Sequence, residues 1–183
     1  MSRLFYTGVG SRKTPKDILD FMVLCGKRLA DLNYIGRSGG ADGADTAFWE
    51  GFELCQKLDK KFEMYLPWDN FNNYNSYQKH IIDSSKTSNF QEAINLMKTV
   101  HTAPNNLSRG ATNLHGRNVY QVLGYDLDTP SNVCILFSKP NKNEDGVTGG
   151  TNTAYQLAKK YNIPIYNLYN DNELEYVKTR LKL

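Results

Sequence analysis

Three glycine-rich segments contain the residues whose types and spacing can do chemistry. They are residues 7–13, 38–45 and 148–153, and each lies between a short apolar run and a helical pattern. Glycine lets the backbone approach a ligand closely, and the helix that follows supplies unpaired N–H groups and the positive end of its dipole. We therefore predict that backbone amides of the three segments bind one anionic, phosphate-bearing ligand.

The candidate binding residues come from these segments and from one predicted helix, over residues 107–124. Arg12 can grip a phosphate in bidentate fashion. Arg117 and Gln121 are four residues apart and share a helix face, which points either into the cleft or across a subunit boundary. The predicted ligand-binding residues are Gly8, Gly10, Ser11, Arg12, Ser38, Gly39, Gly40, Asp42, Asp45, Arg109, His115, Arg117, Gln121, Gly149, Gly150, Thr151 and Asn152.

The two aspartates of the second segment have three open interpretations. Asp42 and Asp45 can cap the helix that follows, bind a ribose hydroxyl or act in acid–base chemistry, and capping is the commonest role for aspartate at such a position. The sequence has no HExxH, Walker A or nucleophile-elbow motif and no His/Cys cluster with metal spacing. We assign no catalytic residue, no metal site and no cofactor.

Alternation of strands and helices indicates how these segments are positioned. Apolar runs at residues 4–6, 34–35, 62–66, 133–137 and 163–168 predict strands, and amphipathic patterns between them predict helices. This order is typical of an α/β fold, Rossmann-like and doubly wound, with a mostly parallel sheet. Such sheets bind ligands beyond the carboxyl ends of their strands. We predict that residues 1–183 form a single domain and that 133–137 is a central strand.

A long polar segment at about residues 67–90 interrupts the alternation. It is rich in asparagine and tyrosine, and we predict a short helix near Gln78 to Asp83. Trp68, Tyr74 and Tyr77 are candidates for stacking on a base, although core or interface packing is the commoner role for Trp68. Long loops in compact domains usually serve function or an interface. We expect a homodimer or tetramer, with this segment as a possible contact.

Composition excludes several classes of protein. The chain has 183 residues and a formal net charge of only +3, which argues against a dedicated DNA-binding surface. Its three cysteines form no CxxC pair and lie among apolar residues, as expected for buried thiols in a reducing compartment. No apolar signal region or membrane-spanning run is present. We expect a cytoplasmic protein with no membrane partner.

Four segments together resemble the SLOG superfamily, the Rossmann-like group that contains DNA processing protein A (DprA) and the "lonely guy" enzymes. Residues 8–12 (GVGSR) resemble its GSR turn, and residues 38–47 are similar to the SGxAxGxD turn of the DprA branch. Residues 149–151 fall at the third glycine turn. Residues 114–124 look like compact DprA-like proteins that bacteriophages often carry. The resemblance spans nearly the whole chain.

The resemblance implies a ligand class rather than one activity, because SLOG proteins bind nucleotides, nucleotide-derived signals or nucleic acid. Three hypotheses remain open. A phage protein of this kind would sequester a host immune second messenger in the host cytoplasm. A hydrolase would cleave an N-glycosidic or phosphate bond with Asp42, Asp45 or His115. A DprA-like mediator would bind single-stranded DNA, which we favour less.

Two departures from the family patterns bear on these hypotheses. The phosphoribohydrolase branch has a PGGxGTxxE motif, whose proline falls on Thr148 and whose glutamate falls on Gln156. An amide cannot act as a carboxylate, so whether the chain is an enzyme stays open and non-enzymatic binding is favoured. The DprA branch has additional domains and a basic groove, which the length and charge of this chain do not match.

Overall fold

The structure is a computed structural model that describes residues 3–183, and its fold is the predicted Rossmann-like α/β fold. Within those residues, six strands and six α-helices form one domain. The strands are β1 (Leu4–Gly10), β2 (Tyr34–Ser38), β3 (Phe62–Leu66), β4 (Ile81–Asp83), β5 (Val133–Phe137) and β6 (Ile165–Asn167). The helices are α1 (Lys16–Asp31), α2 (Ala44–Leu54), α3 (Phe90–Lys98), α4 (Arg109–Leu123), α5 (Thr151–Lys160) and α6 (Asp171–Leu181).

All six strands are parallel, in the order β4-β3-β2-β1-β5-β6. The chain winds outward from β1 to β4 and then returns to place β5 against the other side of β1. Tyr6 of β1 pairs with Gly36 of β2 and with Val133 of β5. The reversal of direction between β1 and β5 is a topological switch point, where open α/β sheets form a crevice.

The sheet separates two hydrophobic clusters. One contains α1, α2 and α6, with buried side chains such as Met22, Phe48 and Val177. The other contains α3, α4 and α5, with side chains such as Met97, Val119 and Leu157. Burial of apolar surface on both faces is why the strands are short apolar runs rather than alternating ones.

The predicted helix near Gln78 to Asp83 is wrong. Residues 81–83 form the edge strand β4, and the backbone N–H of Met64 in β3 donates to the carbonyl of His80. Two other expectations need adjustment. Strand β5 lies second from one edge rather than at the centre, and β6 covers only Ile165–Asn167 instead of 163–168.

The three cysteines, Cys25, Cys55 and Cys134, are buried and free, as predicted. Burial raises the pKa of the Cys25 and Cys134 thiols to about 12, so both stay protonated and unreactive at neutral pH. None of the helices in residues 3–183 has the length and apolar character that crossing a bilayer requires.

Candidate functional site

A cavity of about 470 Å³ opens at the carboxyl ends of β1, β2 and β5, beside the switch point. Its walls come from the β1–α1, β2–α2 and β5–α5 turns and from α4. The three predicted glycine-rich segments therefore do meet at one edge of the sheet. The lining residues are Val9, Gly10, Ser11, Arg12, Ala41, Asp45, Ala111, Leu114, His115, Arg117, Asn118, Gln121, Thr148, Gly149, Gly150, Thr151 and Ala154.

The β5–α5 turn is the open part of this cavity. A Cβ atom at Gly149 or Gly150 would meet no heavy atom within 4 Å, and Gly149 has a φ of 71°. The turn is fixed from behind, because the Asn118 side-chain amide donates to the carbonyl of Gly150 at 2.9 Å. It leads directly into the N-terminus of the ten-residue helix α5. Exposed backbone at the positive end of a helix is suited to an anion.

The glycines at the end of β1, just before the β1–α1 turn, are explained by packing instead. A Cβ at Gly8 would lie 2.5 Å from Cγ of Phe48, and one at Gly10 would lie 2.8 Å from Cβ of Ala44. Both contacts let α2 lie directly against the end of β1. Of this turn, Ser11 and the exposed Arg12 remain beside the cavity, and Arg12 makes no ion pair with any residue in the described range 3–183.

The β2–α2 turn is fixed by hydrogen bonds rather than left open. The Ser38 hydroxyl donates to the carbonyl of Gly8 at 2.7 Å, and Gly40 adopts a φ of 65°. Helix α2 begins at Ala44 with Gly43 as its N-cap residue and no side-chain capping bond, so neither predicted aspartate takes the N-cap position. Asp42 is exposed beside Asn72, 3.4 Å away.

Asp45 is the centre of a buried polar cluster under the cavity. Its Oδ2 accepts from Nη1 of Arg117 at 3.0 Å and from Nε2 of Gln121 at 3.4 Å. Burial raises the pKa of Asp45 and lowers that of Arg117, while the attraction between the two charges opposes both shifts. The cluster joins α4 to the start of α2.

His115 lies on the α4 wall of the cavity. Its Nδ1 is 2.7 Å from Oγ1 of Thr153, and its ring meets that of His101 edge-on at a centroid distance of 4.6 Å. Burial, with smaller contributions from His101 and Arg117, lowers the pKa of His115 to about 4. The imidazole is therefore neutral at physiological pH and interacts through hydrogen bonds rather than charge.

The structure brings together ten of the predicted residues and leaves seven away from the cavity wall. Gly10, Ser11, Arg12, Asp45, His115, Arg117, Gln121, Gly149, Gly150 and Thr151 line it. Gly8, Ser38, Gly39, Gly40, Asp42, Arg109 and Asn152 do not. Asn152 instead accepts the backbone N–H of Val147 at 3.1 Å. Gln156 likewise holds the preceding loop, because its amide donates to the carbonyl of Asp145 at 3.0 Å.

Sequence reasoning missed several lining residues. Ala41, Ala111, Leu114 and Ala154 are apolar and carry no signal of a binding role. Asn118 does carry one, because it is an amide in the apolar half of α4, beside Val119. No group of three or more His, Cys, Asp or Glu side chains in residues 3–183 has an arrangement that could bind a metal ion.

No protein-family model matches the sequence, and no curated protein sequence is similar to it. Among solved structures, the chain is similar to DNA processing protein A from Helicobacter pylori, a protein studied for its single-stranded DNA binding mode. The two are 16% identical, and the match covers 99% of this chain and 81% of the other with a TM-score of 0.41.

Proposed function

We propose that the cavity binds a phosphate group of a nucleotide or nucleotide-derived signalling molecule. The observation that carries this proposal is the open backbone of Gly149 and Gly150 at the start of α5. Arg12 supplies a cation at the same cavity. The cavity thus combines backbone N–H donors, the dipole of α5 and the Arg12 guanidinium. This combination favours a phosphate over a neutral group.

The remaining walls suit the rest of a nucleotide. Val9, Ala111 and Leu114 offer apolar surface for a base or sugar, and Asn118 and Gln121 offer amides. A volume of about 470 Å³ lies within the usual range of small-molecule sites. Because packing fills the space at Gly8 and Gly10, we infer one principal phosphate subsite, at the β5–α5 turn, rather than three equivalent ones.

The geometry favours binding without turnover. The buried Asp45 carboxylate is engaged by two donors, Arg117 and Gln121, and the Gln156 amide is bonded to the preceding loop, away from the cavity. A carboxylate so occupied is poorly available as a base or nucleophile. We therefore propose sequestration as the output, with a host immune second messenger as the ligand and the host cytoplasm as the site of action if the gene belongs to a phage.

Isothermal titration calorimetry with AMP, ADP-ribose and a cyclic dinucleotide tests the proposal, and chromatography of the recovered ligand tests turnover. We expect saturable binding of at least one probe and its recovery unchanged. A released base or a new phosphate species would establish the hydrolase alternative instead. Failure of all phosphate probes, with salt-sensitive binding of a single-stranded oligonucleotide, would favour the DNA-binding alternative.

A further inference from the structure

The chain that leaves β3 borders the cavity described above. Because all strands are parallel, residues 67–74 emerge at the same edge of the sheet as the cavity. Trp68 reaches the start of α4, where a Cβ at Gly110 would lie 4.0 Å from Cζ3 of the indole. Four residues later, the Asn72 amide donates to the carbonyl of Gly40 at 3.0 Å. Gly110 and Gly40 each precede an alanine that lines the cavity, so this segment connects two of its walls.

The backbone of this segment is fixed in an uncommon conformation. Asn70, Asn72 and Asn73 have φ values of 61°, 49° and 65°, in the left-handed region that asparagine tolerates better than most residues. Phe71 between them is buried, and its ring meets the Trp68 indole edge-on at a centroid distance of 5.3 Å. The buried phenylalanine thus holds the indole in place, while 38% of Trp68 remains exposed.

Arg109 occupies a position that helix stability does not explain. It is the first residue of α4, is exposed, and has no acidic residue in the same turn and no ion pair with the described residues. A cation at the positive end of a helix dipole is unfavourable. Its neighbour Gly110 has no side chain to cover the adjacent indole. The exposed indole therefore lies against Gly110, the residue that follows Arg109 at the start of α4.

We propose that Trp68 and Arg109 form an outer subsite that stacks a second ring of the ligand and pairs with a second phosphate. The inference rests on the proposed function, because the first phosphate must occupy the β5–α5 turn. It makes the preferred ligand a dinucleotide rather than a mononucleotide. Indole and guanidinium planes are both suited to the face of a base.

The test compares two probes, AMP and the 5′-phosphorylated dinucleotide pApA, by calorimetry on the full chain. We expect the wild-type protein to prefer pApA, and Trp68→Ala to reduce that preference roughly tenfold, as is typical for loss of one base–aromatic stack. Trp68→Phe keeps an aromatic ring and should therefore retain part of the preference for pApA over AMP. Tyr77→Ala is the matched control, because Tyr77 belongs to the same polar segment and is 94% exposed, whereas Trp68 lies against Gly110 of α4.

The variant Arg109→Glu should change the affinity for pApA and the stability of the protein in opposite directions. Replacing the cation with a carboxylate should raise the melting temperature, because it suits the helix dipole, and should lower affinity for pApA. An unchanged ratio of pApA to AMP affinity in both Trp68→Ala and Arg109→Glu would overturn the outer subsite and leave the proposed function standing. If neither probe binds the wild-type protein, the outer subsite is overturned, and the titrations with ADP-ribose and the cyclic dinucleotide decide the proposed function.

Discussion

The guanidinium of Arg117 occupies the space that a side chain at position 39 would need. A Cβ atom at Gly39 would lie 1.1 Å from Nη1 of Arg117, the same nitrogen that donates to Asp45. The missing side chain at Gly39 is thus a requirement of the buried ion pair. Gly39 is one of the predicted ligand-binding residues, but in the structure it leaves room for the Arg117–Asp45 ion pair beneath the cavity.

Gly39→Ala should therefore separate Arg117 from Asp45. Breaking a buried ion pair leaves uncompensated charges and typically costs about 3–5 kcal/mol. Urea unfolding followed by circular dichroism measures the change in the free energy of unfolding. A loss below about 1 kcal/mol would show that the guanidinium can move aside without cost, contrary to its close packing against Gly39.

Gly150→Ala should show the opposite combination of effects. At φ −63° and ψ −25° the alanine is unstrained, and its Cβ meets no atom, so the free energy of unfolding should stay the same or rise by about 0.4–1 kcal/mol. The methyl group would nevertheless lie where we place the phosphate. We expect calorimetry with the best-bound phosphate probe to show a loss of affinity of roughly tenfold or more. Unchanged affinity would move the phosphate away from this turn.

Arg12→Glu tests the cation at the cavity mouth. We expect it to weaken binding of the same probe by roughly tenfold or more, because a charge-assisted contact is replaced by repulsion. Lys13→Glu makes the identical change in net charge at the adjacent exposed residue, which does not line the cavity. Equal losses in the two variants would indicate long-range attraction rather than contact, and would shrink at high salt.

Two buried tyrosines give opposite predictions for removal of a hydroxyl. The Tyr6 hydroxyl has no hydrogen-bond partner among residues 3–183, whereas that of Tyr65 donates to Glu63 at 2.7 Å. Tyr6→Phe should stabilise the protein by about 1 kcal/mol, because an unsatisfied buried group is removed, and Tyr65→Phe should destabilise it by a similar amount. Chemical denaturation of both variants measures the difference, and destabilisation by Tyr6→Phe would point to an internal partner for that hydroxyl.

His115 should make the protein less stable in mild acid. Its pKa is about 4 in the folded protein and 6.5 ordinarily, so between these values the unfolded chain binds a proton that the folded protein does not. Stability is fully present above pH 6.5 and decreases as the pH falls toward 4. Because carboxylates also titrate near pH 4, the measurement is the difference between wild type and His115→Gln in denaturation midpoints across this range. An equal pH dependence in the two proteins would contradict the burial-driven shift.

The sequence was sufficient for the parts of the fold that local pattern determines. The strands and helices from β1 to β3, the end of helix α4 at Leu123 just before Gly124, and the gathering of three turns at one edge all follow from periodicity and glycine placement. The short edge strand β4 does not, because three residues in a polar context pair only through contact with β3. Pro164 similarly precedes β6 and leaves only Ile165–Asn167 in the ladder.

The candidate site shows the same division. Residue types singled out Arg12, Gly149 and Gly150, which line the cavity, and their binding of a ligand stays a prediction. They could not show that Phe48 fills the space beside Gly8, or that Arg117 fills the space beside Gly39, because those contacts join residues distant in the chain. Glycine patterns alone therefore do not distinguish backbone that is open to a ligand from backbone that is covered by a packed side chain.

The reversal of winding direction beside β1 determines how binding of a ligand in the cavity can be detected. The N-terminal and C-terminal halves of the chain form opposite walls of the cavity. A fragment that contains only one half would therefore present only part of the binding surface. A guest that recognises the assembled crevice must therefore shift the global unfolding equilibrium, by an amount that grows with the logarithm of its concentration. A thermal melt of the intact chain, screened against a metabolite library, reads out that coupling for any guest in the library, whatever its chemical identity.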